Sequence, residues 1–184
     1  MKILFITTLY AECIMKFDAM YSDKDYSYKQ LKDIIKDSFL AYYVSGYVSA
    51  FKNMNIEAEY IIYNSKMLQR AWEKENIKAS SNFSKEEILI SQVKDYGETI
   101  VFWDMVDSDL LNYLKMECSN VRAFVGWTGS AVAVSKQWKE LDVVFSCAQE
   151  SVNYLVSEGA NAEQIHHAFP IDVLPNLVKK IALI

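Results

Sequence analysis

Four clusters of polar and aromatic residues follow apolar runs along this chain, each placed where a ligand-binding or reacting side chain would sit. They are Trp103-Asp104-Met105-Val106-Asp107, Trp127-Thr128-Gly129-Ser130, Ser146-Cys147-Ala148-Gln149-Glu150 and His166-His167. Asp104 has the side chain to orient or deprotonate a hydroxyl, or it satisfies loop amides. His167 is either a donor to a phosphate or hydroxyl, or a histidine satisfied in the core. Trp103 and Trp127 offer ring faces for stacking on a sugar or ring, unless they are buried. Gly126 and Gly129 either let the backbone approach a ligand or serve a turn. Asp107 reads more simply as a helix cap.

The familiar catalytic motifs are absent. No G-x-x-x-x-G-K-[ST] supplies a phosphate cradle, and the first apolar run leads into Thr7-Thr8-Leu9-Tyr10 instead of a glycine-rich dinucleotide turn. No G-x-S-x-G elbow is present. The only two histidines are adjacent, and strand neighbours point to opposite faces, which suits no shared metal. Neither a metal site nor a bound cofactor is expected.

The elements that must position these clusters alternate. Lys2 to Thr7, Glu59 to Tyr63, Thr99 to Trp103, Val121 to Trp127, Asp142 to Ser146 and Glu163 to Phe169 are short apolar runs, read as strands buried on both faces. Helical patterns fall between them, over Tyr28 to Asn53, Ser65 to Glu75, Lys85 to Tyr96, Ser108 to Glu117, Ser130 to Leu141 and Gln149 to Glu158. Ser84 with Glu87, and Ser146 with Gln149, have capping-box spacing; Gly159 marks a helix stop. Tyr10 to Tyr28 reads as a surface loop, either a lid over the strand ends or a plain connector. The alternation predicts an α/β domain, a parallel sheet with helices on both faces. Its polar clusters then converge on one edge of the sheet, where ligands of such folds gather.

Composition narrows the class. With 184 residues, 52% hydrophobic and 14% aromatic, the chain can bury a real core and is not disordered. Its formal charge of −5 is spread along the sequence, and without a Lys or Arg run nucleic acid is not an expected partner. Three cysteines, Cys13, Cys118 and Cys147, lack C-x-x-C spacing and suit reduced residues of a cytoplasmic protein. No apolar stretch reaches membrane-spanning length, so membrane association would be peripheral. The apolar run Ile181 to Ile184 reads as the first residues of a further strand, and the chain is expected to be truncated. Residues 1–172 then form one domain, and 173–184 begin a linker or second domain.

Several segments together resemble a family. They are Ser27-Tyr28 with its long following helix, Tyr63 through Glu75, Ser146 through Glu150 with Gly159, and His167-Ala168-Phe169. This pattern, spanning most of the chain, is similar to the N-terminal domain of bacterial glycosyltransferases of the two-Rossmann GT-B architecture. The last segment resembles the one leading into the interdomain linker, with His166 in place of the usual proline and Pro170 in place of the usual acid. The resemblance implies a Rossmann-like, acceptor-side half of a sugar-transferring enzyme of cell-surface polysaccharide synthesis. The partner of this half is a saccharide or lipid-linked acceptor, and a C-terminal domain holds the nucleotide-sugar donor. Thr8, Tyr10, Trp103, Trp127, Thr128, Gly129, Ser146 and Glu150 are then acceptor-binding candidates. Asp104, and after it His167, is the candidate base of an inverting reaction. Two other readings share the alternation: a stand-alone flavodoxin-like binding or regulatory module, and a structural partner in a cell-envelope assembly.

Overall fold

The computed structural model describes residues 1–37, 42–77, 83–129 and 132–166. Six strands form one sheet: β1 (Lys2–Thr7), β2 (Glu57–Ile62), β3 (Thr99–Asp104), β4 (Val121–Thr128), β5 (Val143–Ser146) and β6 (Ala162–Gln164). The helices are α1 (Ala11–Tyr21), α2 (Tyr28–Asp37), α3 (Tyr42–Asn53), α4 (Lys66–Asn76), α5 (Lys85–Tyr96), α6 (Ser108–Glu117) and α7 (Gln149–Ser157). All strand pairs are parallel, in the order β2-β1-β3-β4-β5-β6. The expected Rossmann-like α/β architecture is therefore what the chain adopts.

The order explains the layers. From β1 the chain moves one way to reach β2, and after crossing to β3 it moves the other way. Right-handed crossovers then place the two sets of helices on opposite faces. Ile14 and Phe17 of α1, Leu31 and Ile35 of α2, and Val44 and Val48 of α3 cover one face, against Ile3, Phe5, Ala58 and Tyr60. Leu89 and Val93 of α5, Leu111 and Leu114 of α6 and Leu155 of α7 cover the other, against Leu4, Ile6, Val101 and Phe124. Alternate residues of one strand thus feed two separate cores.

Local chemistry sets the helix ends. Ser84 accepts from the amide of Glu87 at 3.2 Å while Glu87 accepts from the amide of Ser84 at 2.7 Å, the expected capping box. Asp107 caps α6 by accepting from Leu110 N at 3.0 Å. Gly159, at φ +85°, follows α7 in a conformation that side chains rarely adopt.

Four expectations change. Tyr10 to Tyr28 is mostly helix α1, held down by Ile14 and Phe17 in the core, so it is neither a lid nor a structureless connector. The periodicity was hidden because Met15, Lys16, Met20 and their neighbours make its outer face as mixed as a loop. Ser130 to Leu141 contains only a 3-10 turn, Lys136–Lys139, with residues 130 and 131 outside the described set. Two buried side chains, Gln137 and Trp138, hold that turn. Ser146 does not cap α7, whose cap is Ala148 with no side-chain bond; the serine hydroxyl instead donates to Gly129 O at 2.9 Å. The long pattern Tyr28 to Asn53 covers α2 and α3, with residues 38–41 outside the described set. Residues 167–184, and with them the boundary expected near 172, also lie outside it.

Candidate functional site

In open α/β sheets the loops diverge to opposite faces where the strand order reverses, and a crevice opens at the carboxyl ends of the two strands concerned. Here those strands are β1 and β3. Thr7 and Asp104, their last residues, are register partners. The Thr7 hydroxyl donates to Asp104 Oδ2 at 2.9 Å, and the Tyr43 hydroxyl, brought in by α3, donates to the same oxygen at 2.5 Å. Thr7 Oγ1 and Tyr43 Oη also lie in contact, so the three oxygens form a triangle. Burial pushes the Asp104 carboxyl above its ordinary range, and the two hydroxyl donors pull the other way. The Tyr43 hydroxyl is pushed up by burial and then by the neighbouring Asp104 charge.

A cavity of about 520 Å³ opens over this triangle, lined by Thr8, Leu9, Tyr10, Cys13, Tyr43, Asp104 and Trp127. Its volume falls in the range of small-ligand sites. Tyr10 is 87% exposed and Trp127 is half-buried, so aromatic surface is available at the rim. Beneath it, Phe5 stacks on Tyr47 with ring centroids 5.8 Å apart and meets Phe102 at 4.8 Å. A carboxylate with a raised proton affinity beside aromatic walls can accept a hydroxyl proton and hold a polyhydroxylated ring.

Three anchors fix the loops that frame the cavity. Leu9 N donates to Asn64 Oδ1 at 3.0 Å and Asn64 Nδ2 donates to Leu9 O at 2.7 Å, locking the turn after β1 to the turn after β2. Asp18 of α1 accepts from Ser65 Oγ at 2.7 Å and from Lys66 N at 2.8 Å, pinning α1 across the start of α4. Buried Gln137 secures the loop after β3: its Oε1 accepts from Asp107 N at 2.9 Å and from Trp103 Nε1 at 3.3 Å, and its Nε2 donates to Met105 O at 2.8 Å. Asp104 is thus held between a strand register and a loop staple.

Of the candidates read from sequence, Thr8, Tyr10, Asp104 and Trp127 line this one cavity. Trp103 does not join them: it is 0% exposed in the core, with its indole on Gln137. Strand alternation sends Trp103 and Asp104 to different surroundings, and the indole takes the core side. Ser146 is also 0% exposed and Thr128 is buried. Glu150 lies at a separate groove with Val132, Ser151 and Tyr154. Around Gly129 there is open space, whereas a Cβ on Gly126 would meet Leu141 Cδ1 at 2.5 Å, so Gly126 serves the packing of β4 rather than a turn or a ligand. His167 lies outside the described residues.

Thr7, Tyr43 and Cys13 join the site without having been singled out. Tyr43 is 61 residues from Asp104, and nothing in its helical neighbourhood marks it as polar and functional. Thr7 was legible only as the last residue of a strand. Cys13, Cys118 and Cys147 are all free thiols, and burial pushes the Cys118 thiol up to about 11.

Among the described residues no group of three His, Cys, Asp or Glu side chains is placed to hold a metal ion. No described helix is long and apolar enough to cross a membrane. Comparison with protein-family models, with curated proteins and with solved structures returned no match.

Proposed function

We propose that the chain is the acceptor-binding domain of a glycosyltransferase, and that the cavity over Asp104 receives the acceptor sugar. The observation that carries this reading is the cavity itself, at the reversal of strand order, with a carboxyl of raised proton affinity set among Tyr10, Tyr43 and Trp127. The sequence resemblance to GT-B N-terminal domains supports it independently. Asp104 accepts the proton of the attacking hydroxyl, Tyr43 and Thr7 hold its Oδ2 and orient the carboxyl, and Trp127 stacks on the sugar ring. The nucleotide-sugar donor is held by a second domain. On this reading the 184 residues alone transfer no sugar, and measurable transfer by them alone contradicts it.

One observation favours a second reading. The strand order 2-1-3-4-5 across the first five strands is also that of flavodoxin-like domains, which bind their ligand at the same switch point. A binding or regulatory module would use the same cavity for a planar or phosphorylated ligand. A titration separates the two. The glycosyltransferase reading expects saturable binding of oligosaccharides and none of flavin mononucleotide; the reverse result assigns the module.

A further inference from the structure

A second cavity, of about 160 Å³, lies beside the outer edge strand β2, walled by α2, α4 and α5. It is remote from Asp104. Glu59, in its wall, is in register with Leu4 of β1, three residues before Thr7, and so sits about 10 Å down the sheet from the first site. Gln92 of α5 also lines it. That side chain belongs to a residue only 5% exposed, yet neither Oε1 nor Nε2 has a hydrogen-bond partner. Buried amides are almost always satisfied, so a fully unpaired one facing a cavity is a position built for something else.

The rest of the wall narrows the class of occupant. Lys32 is already engaged, donating to Glu59 Oε1 and to Tyr60 O at 3.1 Å, with its ammonium 4.1 Å from the Tyr60 ring centroid. The remaining charge, Asp95, is exposed at the rim and repels anions. Tyr28, Trp72 and Tyr96 contribute aromatic surface. The amide of Gln92 needs both a donor and an acceptor, which adjacent hydroxyl groups supply together. The volume is about half the roughly 300 Å³ at which sites for larger ligands begin, which excludes nucleotides and oligosaccharide chains.

We infer that this cavity binds a single neutral sugar unit, with Gln92 pairing to its hydroxyls and Trp72 against its ring. The inference stands apart from the assignment of the Asp104 cavity. The experiment is a titration of the ¹⁵N-labelled chain with glucose, galactose, mannose and N-acetylglucosamine, followed at the Gln92 side-chain amide and the Trp72 indole. At least one sugar is expected to give saturable shifts at both, weakened tenfold or more by Gln92→Leu and by Trp72→Phe. The Trp127 indole is a separate reporter, so failure here and failure of the proposed function are read from different resonances. In the absence of sugar, Gln92→Leu is expected to raise the melting temperature, because it removes the orphaned amide. No saturable shift with any of the four sugars, the amide being served by water alone, overturns the inference.

Discussion

Thr7 and Asp104 are 97 residues apart in sequence and occupy the same level of adjacent parallel strands, joined by a 2.9 Å hydrogen bond at the point where the sheet reverses its order. The bond ties the cavity to the fold: any change that shifts β1 against β3 moves the carboxyl.

Replacing Asp104 by Asn is expected to stabilise the protein at neutral pH. Burial raises the carboxyl above its ordinary value of 3.8, so its favourable contribution is fully present below that value and is lost as pH rises through the folded-state value. The advantage of Asp104→Asn over wild type should shrink as the pH falls towards 3. Melting temperatures between pH 3 and 8 measure this, at about 2–4 °C per kcal/mol for a chain of this size. A variant less stable than wild type at neutral pH contradicts the burial argument.

Tyr43→Phe is expected to raise the Asp104 proton affinity further. The tyrosine hydroxyl is the stronger of the two donors that oppose burial, and phenylalanine keeps the ring without the bond. Carboxyl ¹³C shifts of Asp104 against pH read the midpoint directly. Thr7→Val should move it in the same direction, and a downward movement in either variant would show that the deleted hydroxyl does not hold the charged carboxyl.

Gln137→Met should destabilise the fold by about 3 kcal/mol or more. It leaves two buried groups, Trp103 Nε1 and Met105 O, and the part-buried amide of Asp107 without their partner, and each orphaned buried group costs about 1–3 kcal/mol. Denaturant unfolding gives the number. The loop after β3 should also lose hydrogen-exchange protection, which a change confined to packing would not produce.

Gly126→Ala is expected to cost about 1–3 kcal/mol, because Leu141 must leave its position to admit a methyl group. An unchanged unfolding midpoint would mean that the Leu141 side chain rotates away freely.

The sheet was legible because β1 to β5 carry short runs of Val, Ile, Phe or Tyr bounded by turn chemistry, which the short Ala-Glu-Gln strand β6 does not, and the α5 start because Ser84 and Glu87 carry the reciprocal bonds in their own spacing. The site was legible only in part. Asp104 and Trp127 stand out as polar or aromatic residues just past apolar runs, but Tyr43 reaches the site through the tertiary path of α3, which no local pattern records. Trp103 misled because an aromatic at a strand end looks the same whether it faces a ligand or the core. Helix α1 was hidden by a sequence whose buried positions, Ile14 and Phe17, are too few to show a stripe. Gln137 gave no signal at all, since a lone glutamine in a polar stretch reads as solvated.

The central claim, that the cavity over Asp104 receives an acceptor sugar, is tested most directly by following the Trp127 indole resonance of the ¹⁵N-labelled chain during titration with short oligosaccharides. The account predicts a saturable shift at Trp127, reduced at least tenfold by Asp104→Asn and by Trp127→Ala, with both variants folded. A Trp127 resonance that ignores every oligosaccharide, or that responds only to flavin mononucleotide or nucleotides, contradicts it.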